Sequence, residues 1–152
     1  MARDYILRMV EQIAAMLATI LAKKEAGQVG EARQEMDGNS LRTIGLTLES
    51  LKKLSPEAVA NLLEGSGALR PVRAITLAEL LLVDAEWEDA NGNTAQSVAS
   101  RVHAFCMLAD SIEALNREDQ IAYRDKLKTI AEQLGDLRTH PYIGERMGRL
   151  NL

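Results

Sequence analysis

The sequence predicts an all-α fold of five or six helices in antiparallel hairpins, and three observations carry that prediction. Apolar residues recur at steps of three and four along most of the chain, the period of a helix face. Leu, Ala, Glu and Met are plentiful beside three prolines and one phenylalanine, a balance that favours residues losing little freedom in a helix and lacks the aromatic residues enriched in strands. Glycines stand where such helices would end, at Gly27, Gly65, Gly92 and Gly135. A chain of 152 residues suffices for one domain that buries roughly two-thirds of its unfolded surface, so residues 1–152 read as a single unit.

From residue 5 to residue 21, Ile6, Val10, Ile13, Leu17 and Ile20 share one helical face. Tyr5, Leu7, Met9, Met16 and Leu21 lie outside that stripe, so the first helix is apolar around more of its circumference than a helix facing one core. Lys23 and Lys24 suit its C-terminus, where cations oppose the partial negative charge of the last carbonyls. Gly27 ends it, because glycine reaches the left-handed conformation that commonly closes helices. The chain then reverses, and Ala32 and Met36 return along the first helix. Gly38 sits inside this second helix at a cost of about 1 kcal/mol relative to alanine, which predicts a bend or short break. Leu41, Ile44, Leu48 and Leu51 keep the helical spacing, with Gly45 as a stop or kink.

The stretch LSPEAVANLLEG has Ser55 as N-cap, Pro56 at the first helical position and Glu57 in the first turn, and Gly65 ends this short helix. Residues 65–71 read as the main loop, with Pro71 opening the next helix. Residues 75–83 are so apolar that this helix must be central, and its continuation through Trp87 argues against a buried strand. Gly92 ends it. Asn93 or Thr94 caps a helix whose apolar stripe is Ala95, Val98, Ala99, Val102, Cys106, Ala109 and Ile112. The last long helix runs from about residue 117 to 134, with Tyr123, Leu127, Ile130 and Leu134 inward and Gly135 as its stop. Residues 136–152 form a tail in which Pro141 starts a short turn.

The two hairpin turns repeat. Gly27-x-Val29-x-Glu31-Ala32 aligns with Gly92-x-Thr94-x-Gln96-Ser97, close to twice the spacing of a helical-hairpin repeat of about 34 residues. Glycine makes the turn and a small residue five positions on lets two helices approach. This pattern resembles the turn of tetratricopeptide (TPR) repeats, with Val29 and Thr94 standing where that family usually carries tyrosine. The opening, with Asp4, Tyr5, Ile6, Arg8, Met9, Val10, Glu11 and Gln12, is similar to that of a bacterial family of short, uncharacterised TPR-like proteins beginning Asp-Tyr-Ile-x-Arg-Met-Ile/Val-Glu-Gln. The resemblance implies a right-handed array of helical hairpins and no particular chemistry.

A net charge of −4 offers no field that would draw in nucleic acid or an anionic membrane. In the tail, Arg138, His140, Arg146 and Arg149 face only Glu145 in sequence, a small basic patch that reads as solvated surface or a local contact. The single cysteine, Cys106, excludes an intramolecular disulfide and a multi-cysteine metal cage, which fits a cytoplasmic location. The apolar residues 13–22 are too few to span a bilayer, and Asp4 and Glu11 sit where a signal peptide would want positive charge.

Two clusters invite chemistry. His103 and Cys106 lie three apart on a helix with Asp110 one turn on, but a zinc site would need further ligands from His140 or carboxylates; packing is the reading, with no metal and no cofactor. Asp84, Glu86, Glu88 and Asp89 surround Trp87, a charge run that reads as a solvated face. Phosphate loops, nucleophile elbows, zinc helices and dinucleotide fingerprints are missing from the sequence. The expected function is therefore a non-enzymatic protein-interaction or scaffold module that self-associates as a homodimer, with Tyr5, Met9, Met16 and Trp87 as interface residues. The competing expectations are a small α-helical enzyme or metal-binding protein using Glu86, Asp89 or His103, and a first helix wrapped completely within one chain.

Overall fold

The computed structural model describes residues 2–152, with side chains from Arg8 onward; the side chain of Tyr5, an expected interface residue, lies outside the described residues. Eight α-helices follow one another: α1 (Ala2–Glu25), α2 (Val29–Ile44), α3 (Leu48–Lys52), α4 (Pro56–Glu64), α5 (Arg70–Ala90), α6 (Thr94–Ser111), α7 (Arg117–Leu134) and α8 (Pro141–Leu150). Short 3₁₀ turns occupy Gly67–Leu69, Ile112–Ala114 and Gly135–Thr139. There is no strand among the described residues. The all-α expectation holds, but eight helices replace five or six. The extra ones are α3, whose Leu48 and Leu51 read as a continuation of the second helix past Gly45, and α8, which read as a short turn.

The turns at Gly27 and Gly92 are the same structure. Gln28 N–H donates to the Lys23 carbonyl at 2.9 Å and Gly27 N–H to that of Lys24 at 3.1 Å; Asn93 N–H donates to Glu88 at 2.8 Å and Gly92 N–H to Asp89 at 3.1 Å. Both pairs are the crossed bonds of a Schellman motif, and both glycines stand at positive φ, 81° and 75°. Ala32 and Ser97, five residues after each glycine, are both fully buried, so the small side chains do lie where helices meet.

Local capping follows the sequence at Ser55 but not at Asn93, which precedes α6 without a side-chain cap bond. Ser55 Oγ accepts from Ala58 N–H at 3.1 Å and Asn116 Oδ1 accepts from Asp119 N–H at 2.8 Å, each satisfying an N–H that the first turn leaves without a partner. Gly38 does not break α2, which runs on from Val29 to Ile44. Burial of Ala32, Met36 and Ser40 along its inner face outweighs a propensity cost of about 1 kcal/mol, and the helix stops at Gly45, whose φ is 76°. Residues 65–71 are not a long loop either, because the Gly67–Leu69 turn runs directly into α5.

Helix α5 is the core. Ile75, Leu77, Leu80 and Leu81 are all completely buried, as is Phe105 of α6, because α1, α2, α4 and α6 all pack on α5. The predicted stripe of α6 needs correction in its first half. Ala95 is exposed and Val98, Ala99 and Val102 are half-buried, whereas Ser97, Ser100 and Arg101 are buried. Polar pairing joins apolar contact in seating this end of the helix, where Val98 and Val102 still pack against the core.

Contacts across the stack set the helix directions. Met9 shares a groove with Val72, and the Lys24 ammonium lies 5.5 Å from the Trp87 ring centre, so α1 runs parallel to α5. Lys126 bonds Glu79, and Gln133 shares a groove with Glu86 further along, so α7 is parallel to α5 as well. Cys106 meets Tyr142 and Asp110 meets Arg146, which makes α8 parallel to α6. The chain thus pairs α1 with α2 and α5 with α6 as antiparallel hairpins, α7 and α8 each pack on α6, and α3 and α4 are inserted after the first hairpin.

Candidate functional site

The most unusual chemistry lies at Asp84, a carboxylate with no exposure at the heart of α5. Arg33 of α2 donates through Nη1 to its Oδ1. Lys52 at the end of α3 donates through Nζ to Oδ2 at 2.7 Å, and Ser100 of α6 donates through Oγ to Oδ2, also at 2.7 Å. Burial alone would raise the Asp84 pKa; hydrogen bonds from Lys52, Arg33 and Ser100 outweigh it and hold the group below the usual carboxylate range. Four helices meet on one anion. Outside this hub lies an open groove of about 470 Å³ with Arg33, Lys52 and Lys53 facing Glu49 and Glu88.

Two further ion pairs join α5 to its neighbours, one to α6 and one to α7. Arg101 donates to Asp89 through Nη2 at 2.6 Å and to Gln133 of α7 through Nε at 3.1 Å. Lys126 donates to the buried Glu79 at 2.6 Å. Between α1 and α7, over α5, these groups edge a groove of about 280 Å³ with Leu17, Leu82 and Ile130 on its floor. Its outer rim carries Leu21, 39% exposed.

A third groove, of about 320 Å³, runs between α1, α2 and the start of α5. Met9, Ile13, Met16 and Val72 supply apolar surface, and Arg42 and Arg73 supply charge. Met9 and Met16 are half-buried there, while Ile13 and Ile20 are buried against the stack. The first helix is therefore covered along one stripe and open beside it.

The other predicted residues scatter. Trp87 is half-buried against the core beneath Lys24 and stands at the far end of α1 from Met9. Glu86 is exposed. Asp89 is engaged by Arg101, whose hydrogen bond together with that of Ser97 lowers its pKa. His103 lies deeper and elsewhere, 4% exposed, on a cavity of about 10 Å³ shared with Cys106, Asp110 and Arg70. Its Nδ1 has no hydrogen-bond partner among the described residues, and burial lowers its pKa. Glu86, Asp89 and His103 thus do not converge on one site. Among the described residues no group of three or more His, Cys, Asp or Glu could hold a metal ion.

The tail is not a free basic patch. Arg146 grips Asp110 of α6 with two bonds, Nε to Oδ1 at 2.9 Å and Nη2 to Oδ2 at 3.0 Å, and Arg149 adds a third at 2.9 Å. This pairing is not legible in the sequence, because partners 36 and 39 residues apart leave no local trace. The hub at Asp84 was hidden for the same reason: Arg33, Lys52 and Ser100 come from three separate segments. The one available signal was Asp84 itself, continuing the apolar residues 75–83 on a helix read as central.

Cys106 is buried and its thiol is pushed up to about 12, mainly by burial. The stability this group contributes is fully present below its unfolded pKa and is lost as pH rises towards about 12. A thiol held protonated is a poor nucleophile. At pH 8 Cys106 is expected to react with Ellman's reagent at least about tenfold more slowly in the folded protein than in guanidinium; equal rates would contradict its burial.

Compared with protein-family models, with curated proteins and with solved structures, the chain finds no match. Among the described residues no helix is long and apolar enough to cross a membrane.

Proposed function

We propose that this chain is a non-enzymatic interaction scaffold, a TPR-like stack of helical hairpins that self-associates beside its first helix. The observation that carries the reading is the groove along Met9, Ile13 and Met16, an apolar surface left open on the first hairpin of a stack. Stacked hairpins bury their faces against neighbours, and a terminal hairpin needs a polar outer side or a covering partner. At the other end α8 closes the array with Arg146 and Arg149 on Asp110, whereas α1 presents methionines, whose flexible side chains adapt to an incoming surface.

Two supports come from the rest of the molecule. The identical turns at Gly27 and Gly92 and the shared direction of α1, α5 and α7 agree with a hairpin repeat. Asp84, Asp89, Glu79 and Asp110 are each held by a cation of the same chain, an arrangement suited to fixing helices against one another.

Sedimentation at micromolar concentration tests the reading. The unmodified protein is expected to run as a dimer or larger species, and Met9→Glu with Met16→Glu to run as a monomer with unchanged helical circular dichroism. A monomeric unmodified protein up to about 100 μM, weaker than most specific complexes, would refute self-association.

A further inference from the structure

We propose that the groove beside Met9 and Met16 is also a ligand site: it takes a single-chain aliphatic carboxylate, the chain on the methionines and the headgroup on Arg42 and Arg73. Such binding needs the open groove and not the dimer. Among the described residues, the charged side chains that line it are those two arginines. Its other polar side chains, Gln12, Asn39, Thr43 and Thr76, are neutral. The grooves at Arg33 and at Arg101 differ in this respect, because Glu49 and Glu88 line the first and Glu79 and Glu86 the second.

Neither arginine has an ion-pair partner among the described residues. Arg73 donates to the Ser66 hydroxyl at 2.9 Å and Arg42 to the Asn39 side-chain oxygen at 2.9 Å, and both acceptors are neutral. No Asp or Glu stands three or four residues from either arginine along its helix. Glu35 belongs to Lys23, which bonds it at 2.9 Å and lowers its pKa more than Arg42 does. Arg73 is half-buried, and a guanidinium partly removed from water gains from an anion that replaces the lost hydration.

The floor decides the rest of the ligand. Met9, Ile13, Met16, Leu69 and Val72 are apolar, and methionine adapts its shape to a flexible chain. A carboxylate is planar and accepts two parallel bonds from one guanidinium. The groove volume of about 320 Å³ lies at the low end of the roughly 300–1,000 Å³ of small-molecule sites, which suits one short chain and not a two-chain lipid. Octanoate has this chemistry. It would cover the same methionines as a second copy, so saturating octanoate is expected to shift the protein towards monomer.

Titration calorimetry with octanoate, below its micelle-forming concentration, tests the site. One octanoate per chain is expected, bound at least about tenfold more tightly than 1-octanol, which keeps the chain, or acetate, which keeps the charge. Arg42→Gln with Arg73→Gln is expected to weaken octanoate binding at least about tenfold and to leave 1-octanol unchanged. Arg117→Gln with Lys128→Gln removes the same charge from exposed positions on α7 and is expected to leave octanoate binding unchanged. Circular dichroism checks that each variant is folded. Equal binding of octanoate and 1-octanol, an equal loss in the α7 variant, or no saturable octanoate binding would overturn the ligand site. Sedimentation of the ligand-free protein reads self-association separately: a monomer that binds octanoate refutes the dimer and supports the site, and a dimer that binds none does the reverse.

Discussion

Asp84→Ala is expected to lower folding stability by about 3–5 kcal/mol, the cost of breaking a buried ion pair from one side. The loss comes less from the missing attraction than from what remains. Lys52, its side chain 5% exposed, would keep its charge in the interior without an acceptor, and Ser100 would lose its hydroxyl partner. Arg33 is a third exposed and can turn to water, so Arg33→Ala is expected to cost much less. Asp84→Asn tests the same point with shape nearly retained, and it should fall between the unmodified protein and alanine. Urea unfolding followed by circular dichroism measures all three. A loss below about 1 kcal/mol for Asp84→Ala, the size expected of an exposed pair, would show that water already reaches the hub.

The pH dependence has a definite sign. Asp84 and Asp110 have folded pKa values below their unfolded ones, because the hydrogen bonds they accept outweigh burial. Their contribution is present above the unfolded pKa and is lost as pH falls through the folded values. His103 is also depressed, by burial, from 6.5. Its neutral form fits the fold, so its contribution starts to be lost earlier, as pH falls below about 6.5. Acid destabilisation should therefore begin with His103 and steepen at the carboxylates, and Asp84→Ala should flatten only the lower part of the curve.

Phe105→Ala is expected to cost about 3–5 kcal/mol, because a buried aromatic side chain leaves both lost contacts and a cavity. Phe105 is completely buried on α6, in one core with Leu77, Leu80 and Leu81 of α5 and Leu127 of α7, so α5, α6 and α7 should loosen together. At a chain length near 150 residues such a loss lowers the midpoint of thermal unfolding by roughly 10 °C. Leu62→Ala is the matched control, since Leu62 is 52% exposed and its removal should change stability by about 0.5 kcal/mol or less. Equal effects of the two would mean that Phe105 does not sit in a closed core.

Local sequence determined a good deal of this protein. A glycine followed five residues later by a small side chain specified the turns at Gly27 and Gly92, since few other residues occupy positive φ without strain. Ser55-Pro56 specified a helix start because capping is a contact over three residues. Residues 75–83 announced the central helix because a segment apolar on every side must be surrounded. These signals act within a turn or two of helix, so they are written next to each other in the chain.

Tertiary structure decided whatever depended on distant partners. Asp84 looks like one acid in a charge run until Arg33, Lys52 and Ser100 arrive from three other helices. Arg146 and Arg149 look like a loose basic tail until Asp110 faces them, and that pairing seats residues 141–150 as a helix against α6. Gly38 looks like a break until burial of Ala32, Met36 and Ser40 overrides its weak propensity. Helix propensity and capping amount to about 1 kcal/mol per site, whereas a buried charge or a packed face is worth several. The larger effects depend on which helices meet, and no short stretch of sequence contains that information.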